Sequence, residues 1–152
     1  MKAQKNIMDL ECEKRTFARS AFYIGTTHPF DMNEVTKILN IEPNYLWQQS
    51  KDWLIGLPNC PQATWGYELP ETEHDSSDKP INAILDVFWP YRDIIIPFVK
   101  EHNLSTTIDI LIRMHESELY CNMDFMLEPE TMKRICELNA SLQVSHYVHD
   151  KV

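Results

Sequence analysis

From Thr106 to Met114 the chain alternates, with Ile108, Ile110, Ile112 and Met114 on one side and Asp109, Leu111 and Arg113 on the other. A period of two is that of a strand with one face in an apolar core and the other toward water. Thr16 to Ile24 repeats the pattern, Ala18, Ser20, Phe22 and Ile24 against Phe17, Arg19, Ala21 and Tyr23. Two such runs constrain the chain to a sheet whose apolar face must be covered, and helices are the available cover.

The covering helices are legible between the strands. Asp31, with Glu34 three positions on, has the form of a capping box. It opens a helix with Val35, Ile38 and Leu39 on one face, ending near Asn40 ahead of Pro43. Pro80 to Phe88 is helical in pattern. A second helix runs from Pro90 to about His102, distorted at Pro97, because an interior proline costs ~3 kcal/mol. Pro129 opens a helix whose Met132, Ile135 and Leu138 face the core.

Three further runs read as strands. Ala63 to Leu69 is one, and Leu142, Val144, His146 and Val148 mark the last. Leu119, Cys121, Met123 and Phe125 alternate after a polar turn at Glu116 to Glu118, which predicts an antiparallel hairpin with Thr106–Met114. Tyr45 to Pro61 reads as irregular, and Pro70 to Lys79 as an acidic loop.

The predicted order is β-α-β-α-α-β-β-α-β. Leu39-Asn40 and Leu138-Asn139 end two helices alike, an internal echo that fits duplicated halves. The expectation is an α+β fold: a ferredoxin-like α/β sandwich, an antiparallel sheet with helices on one face. Residues 1–15 read as an N-terminal lead-in and residues 16–152 as a single domain.

Charge restricts the partners. The 152 residues carry a formal net charge of −9. The first 20 residues hold five basic and three acidic side chains, and the remainder holds nine basic and 20 acidic. Such a body repels phosphate backbones, so nucleic acid is not an expected partner. A basic protein would be attracted. No apolar run approaches the ~20 residues of a membrane helix, and Met1 to Arg15 has no apolar core like that of a secretion signal. The expected compartment is the cytoplasm. Cys12, Cys60, Cys121 and Cys136 form no CxxC pair and are expected as free thiols, the last two buried.

Chemistry is sparse. Gly25, Gly56 and Gly66 are the only glycines, and no phosphate-cradling or nucleophile-elbow motif occurs. His146 and His149, three apart on a strand, point to opposite faces and cannot share a metal. No metal or cofactor site is expected, and no nucleophile with an adjacent base can be read. Two surfaces are candidates. Trp47, Trp53 and Trp65, in an aromatic-rich stretch, are expected to anchor a partner, with Glu71, Glu73 and Asp75 as steering charges. The alternative is the polar side of the sheet, where Tyr23, Arg113, Asp124 and His149 would line a small-molecule or enzymatic site, or where Arg113 simply pairs with Asp124 across the strands.

The order of "FARSAFYIG", "FDMNEVTKILNIEPNYLW", "DW" before "TWGYEL", "ILDVFWPYRDII" and "LEPETMKRICELNASLQVSHY" resembles the bacterial domain-of-unknown-function 4279 family, from Thr16 to about Asp150. The resemblance implies an α/β domain of this size and brings no catalytic residues. The residues themselves suggest a non-catalytic protein-binding module, an immunity-type protein that neutralises a bacterial toxin. A small-molecule or enzymatic role on the sheet face is the alternative, and a homodimer through sheet pairing is also compatible.

Overall fold

The structure is a computed structural model that describes residues 16–48, 63–74, 76–115 and 125–149. Six strands, β1 (Thr16–Thr26), β2 (Tyr45–Gln48), β3 (Ala63–Glu68), β4 (Thr72–His74), β5 (Ser105–His115) and β6 (Ala140–His149), form one sheet. Their order is β2-β3-β1-β5-β6, with β4 beside β1. Every pairing is antiparallel except β5 with β6. Helices α1 (Asn33–Leu39), α2 (Asp78–Phe88), α3 (Arg92–Glu101) and α4 (Pro129–Glu137) cover one face. The fold is the expected ferredoxin-like α/β sandwich.

The alternation in β1 and β5 is what divides the faces. Ala18, Phe22, Ile24, Ile108, Ile110 and Ile112 are buried beneath the helices. Phe88, at the end of α2, stacks on Phe22 with ring centroids 4.0 Å apart and planes 11° from parallel. It also meets Trp65 and Tyr67 edge-on, at 6.1 and 5.7 Å. Trp65 is fully buried, and its indole Nε1 donates to Thr36 Oγ1 of α1 at 3.0 Å. That bond satisfies a polar group that would otherwise be stranded. It also ties α1 to β3. Trp65 is therefore a core residue and presents nothing to a partner, contrary to expectation.

β3 and β4 follow the same side of β1 in succession. β3 pairs with Ala21 to Thr26, Leu69 N–H donates to Ser20 O, and β4 pairs with Thr16 to Ala18. Pro70 lies in the gap and has no N–H to give to a ladder. The expected loop over 70–79 is thus partly strand. β2 likewise replaces irregular chain.

The predicted hairpin does not form across residues 106–113. β5 is already bonded on one edge by β1 and on the other by β6, which leaves no edge for a third strand. Residues 119–124 of the expected partner lie outside the described residues.

Helix ends also differ in detail from expectation. Asp31 Oδ1 accepts from Asn33 N–H at 3.0 Å, while Glu34 turns to Lys37 instead of closing a capping box. Pro97 sits inside α3. It and Asp93, whose carbonyl loses its helical donor, both lie on the exposed side, where water replaces the missing bond. On α4 and its C-cap the buried positions are Thr131, Ile135 and Leu138. Met132 and Cys136, both expected inside, are exposed. Asn40, Asn103 and Asn139 adopt left-handed backbone, φ 52°, 52° and 51°, and end α1, α3 and α4. Asn tolerates that conformation best after Gly. The Leu-Asn echo is therefore a repeated helix stop, a buried Leu followed by a left-handed Asn.

α4 is fastened to α2 by polar contacts. Arg134 donates to Asn82 Oδ1 at 2.9 Å and to Asp86 Oδ1 at 2.8 Å, and its guanidinium lies 5.1 Å from the Trp89 ring centroid. Asn82 Nδ2 donates in turn to Thr131 Oγ1.

Two outcomes follow for stability. Phe88→Ala, which empties the centre of the aromatic cluster, is expected to destabilise the domain by about 3–5 kcal/mol in chemical denaturation. Thr36→Val, nearly isosteric, leaves the Trp65 indole N–H without its acceptor and is expected to cost about 1–3 kcal/mol. A Thr36→Val domain as stable as the wild type would show that this bond does not hold α1 in place.

Candidate functional site

The face of the sheet opposite the helices carries its side chains in register. Tyr23 of β1 stands opposite Gly66 of β3. A Cβ on Gly66 would come within 2.5 Å of the Tyr23 ring, so glycine is what allows the ring to lie there. Tyr45 of β2, also opposite Gly66, meets Tyr23 edge-on at 5.5 Å. Two residues earlier on β1, Ala21 pairs with Glu68 on one side and Asp109 on the other. Arg19 stands two residues earlier again.

These residues form a polar group around a small alanine. The Tyr23 hydroxyl donates to Glu68 Oε1 at 2.5 Å, and Arg19 Nη1 lies 3.3 Å from Glu68 Oε2. Burial, then the bond to Glu68 and the charges of Glu68 and Asp109, push the Tyr23 phenol well above its ordinary value. A phenol held protonated is a donor and not a general base. Asp109 is only 9% exposed. Its carboxyl is pushed above the ordinary 3.8, chiefly by desolvation, with the Glu68 charge adding to the effect and Arg19 opposing it.

Of the residues expected to line this face, Tyr23, Arg113 and His149 stand far apart along the strands. Arg113 pairs with Phe17, six positions along β1 from Tyr23, a separation of roughly 20 Å at strand spacing. Its Nε donates to Glu71 Oε1 at 2.6 Å, and its guanidinium lies 4.9 Å from the Phe17 ring centroid. Glu71 thus supplies Arg113 with a carboxylate, and Asp124 lies outside the described residues. His149 pairs with His115 at the end of β6, eight positions beyond the row of Tyr23. His146 is exposed. Among the described residues no group of three His, Cys, Asp or Glu side chains could hold a metal ion.

Of the partner-binding set, Trp47 remains at the surface. It lies on β2 opposite Thr64, on the same face as Tyr45. Tyr45, Leu46 and Trp47 are 41%, 53% and 38% exposed. Glu71 is engaged by Arg113, and Glu73 stands opposite Phe17. Trp53 and Asp75 lie outside the described residues. Leu46 and Glu68 carry no local sequence signal for these surfaces, whereas Tyr45 belongs to the aromatic-rich stretch and Asp109 to the polar side of β5. An acidic residue inside the isoleucine run of β5 was the available signal for Asp109.

The architecture defines the class: an α+β sandwich with an open, mostly antiparallel sheet and helices on one face. The chain belongs to the domain of unknown function 4279 family, whose model matches residues 16–149. No curated protein and no solved structure matches it. No helix among the described residues is long and apolar enough to cross a membrane.

The raised Asp109 carboxyl has a consequence for stability. A group whose value is higher folded than unfolded takes up protons on folding. Its stabilising effect is fully present below 3.8 and is lost as the pH rises through the folded value. Asp109→Asn is therefore expected to be more stable than the wild type at neutral pH, with the gain vanishing in acid. Denaturation midpoints across that range measure it, and a variant less stable at neutral pH would contradict the desolvated carboxylate.

Proposed function

We propose that this chain is a non-catalytic protein-binding module that docks a basic protein in the cytoplasm, in the manner of an immunity protein that neutralises a toxin. The observation that carries the reading is β2. It pairs with β3, and among the described residues no strand bonds its other edge. An unpaired strand edge offers N–H and C=O groups to an incoming strand. Tyr45 and Trp47 stand on one face of that edge and Leu46 on the other, so an added strand would be gripped from both sides. Tyr and Trp are the side chains that most often carry interface energy.

The net charge of −9 supports a basic partner. Because Glu71 is already paired with Arg113, steering comes from the field of the whole body more than from the 71–75 segment. Trp65 leaves the anchor set, and Tyr45 and Leu46 join Trp47 in it.

A second reading, a small-molecule site on the open sheet face, is favoured by one observation, an acidic residue, Asp109, that is only 9% exposed on that face.

Affinity capture with the tagged chain at low and high salt tests the first reading. A basic protein is expected to be retained, with association slowed by salt. Tyr45→Ala/Trp47→Ala is expected to weaken that complex by about 100-fold or more while leaving the chain folded. Undiminished retention by the folded double variant would remove β2 as the docking edge.

A further inference from the structure

β2 is an edge strand without the usual protections. Exposed edges are blunted by charged side chains or proline, and Tyr45, Leu46, Trp47 and Gln48 supply neither. The strand is also pinned at its start. The Asn44 backbone N–H donates to Gly66 O at 3.2 Å, its Nδ2 donates to Glu68 O at 2.8 Å, and its Oδ1 accepts from the Glu68 N–H at 2.7 Å. The Asn44 side chain thus stands in for backbone at the end of the ladder with β3. An edge fixed in this way loses little freedom when a segment pairs with it.

The two faces of that edge suit different side chains. On the open face Tyr45 and Trp47 are two residues apart, a repeat of about 7 Å along a strand. Alternate residues of an added strand repeat at the same spacing, so one side chain falls beside each ring. A cation within ~6 Å of a ring centroid is attracted to the ring face, and arginine also stacks on it. This chain uses that contact three times: Arg92 and Arg134 lie over Trp89, and Arg113 over Phe17. The surrounding charge favours a cation as well. The body carries a net −9, and Glu42, three positions ahead of Tyr45, is exposed. On the other face Leu46 stands opposite the buried Trp65 and is 53% exposed. An aliphatic side chain there would extend the margin of the core. A second copy of the chain would bring the same aromatic edge and a further −9, and so answers neither the rings nor the charge.

We propose that the segment β2 receives is an extended strand in which basic residues, arginine before lysine, alternate with aliphatic ones. The basic side chains lie over Tyr45 and Trp47, and the aliphatic one lies against Leu46. The inference rests on β2 as the docking edge and specifies what docks there.

The test uses the full chain and three end-blocked peptides of about seven residues, long enough to overlap β2 at both ends. One alternates arginine with valine, one holds the same residues in two blocks, and one alternates glutamine with valine. Affinities and backbone amide shifts are measured by NMR titration at constant ionic strength. The arginine–valine peptide is expected to bind about tenfold tighter than either control, and to move the amides of Tyr45 to Gln48. Tyr45→Leu/Trp47→Leu, which keeps apolar side chains without the rings, is expected to erase that advantage while its amide spectrum stays that of the folded chain. The peptide comparisons are made on the wild-type chain and do not depend on the variant folding. Equal binding of the block peptide would overturn the strand pattern. Equal binding of the glutamine–valine peptide, with the β2 amides still moving, would overturn the cation assignment and leave β2 as the docking edge. No movement of the β2 amides with any peptide would overturn the inference, whereas β2 as the docking edge is decided separately by the alanine double variant and the protein it retains. Shifts along β2 that follow the chain's own concentration, without peptide, would make a second copy the occupant and overturn the inference too.

Discussion

The packing of Phe88 against Phe22 and Trp65 is the contact from which the rest of the arrangement follows. It seats the end of α2 on the middle of β1, the central strand of the sheet. Trp65 carries the same contact outward to α1 through its bond to Thr36. On the other flank, Ile108 and Ile110 extend the buried surface of β5, and Ile135 of α4 and its C-cap Leu138 close over it. Burying these aromatic and branched side chains on one face is the main stabilising term. All four helices are drawn to that face, and the other face is left to polar side chains.

That asymmetry sets the character of the open face. In the middle of a sheet, neighbouring side chains shield one another even where no helix covers them. Ala21 is fully buried there, and Asp109 nearly so. A charged group in such a place is desolvated by its own strand neighbours, which raises the carboxyl of Asp109. Toward the edge the shielding ends. Tyr45, Leu46 and Trp47 remain exposed because β2 has a neighbour on one side only among the described residues. The two candidate surfaces, one central and polar, one peripheral and aromatic, thus have a common origin in one-sided cover.

Much of this was legible in the sequence. The alternation in β1 and β5 and the spacing of apolar residues before Asn40 and Asn139 reflect periodic burial, and periodic burial is what a sequence records. What escaped were features set by neighbours distant along the chain. Trp65 resembles Trp47 in isolation, and only its place opposite α1 makes it core. β2 and β4 are short, and their residues are mostly exposed, so no alternation marks them. The edge of β5 where a hairpin partner is expected belongs to β6, and Arg113 meets Glu71, 42 positions away in sequence. The polar group around Ala21 draws on three strands that are far apart in sequence, and no local pattern announces it.

In the proposed complex, β2 is the edge a partner engages. Amide hydrogen exchange of the chain, alone and in complex with the basic protein it retains, measures this most directly. Slowed exchange at the amides of Tyr45 to Gln48 in the complex, with β6 unchanged, is the expected outcome. Unchanged exchange along β2, with protection elsewhere on the sheet, would contradict it.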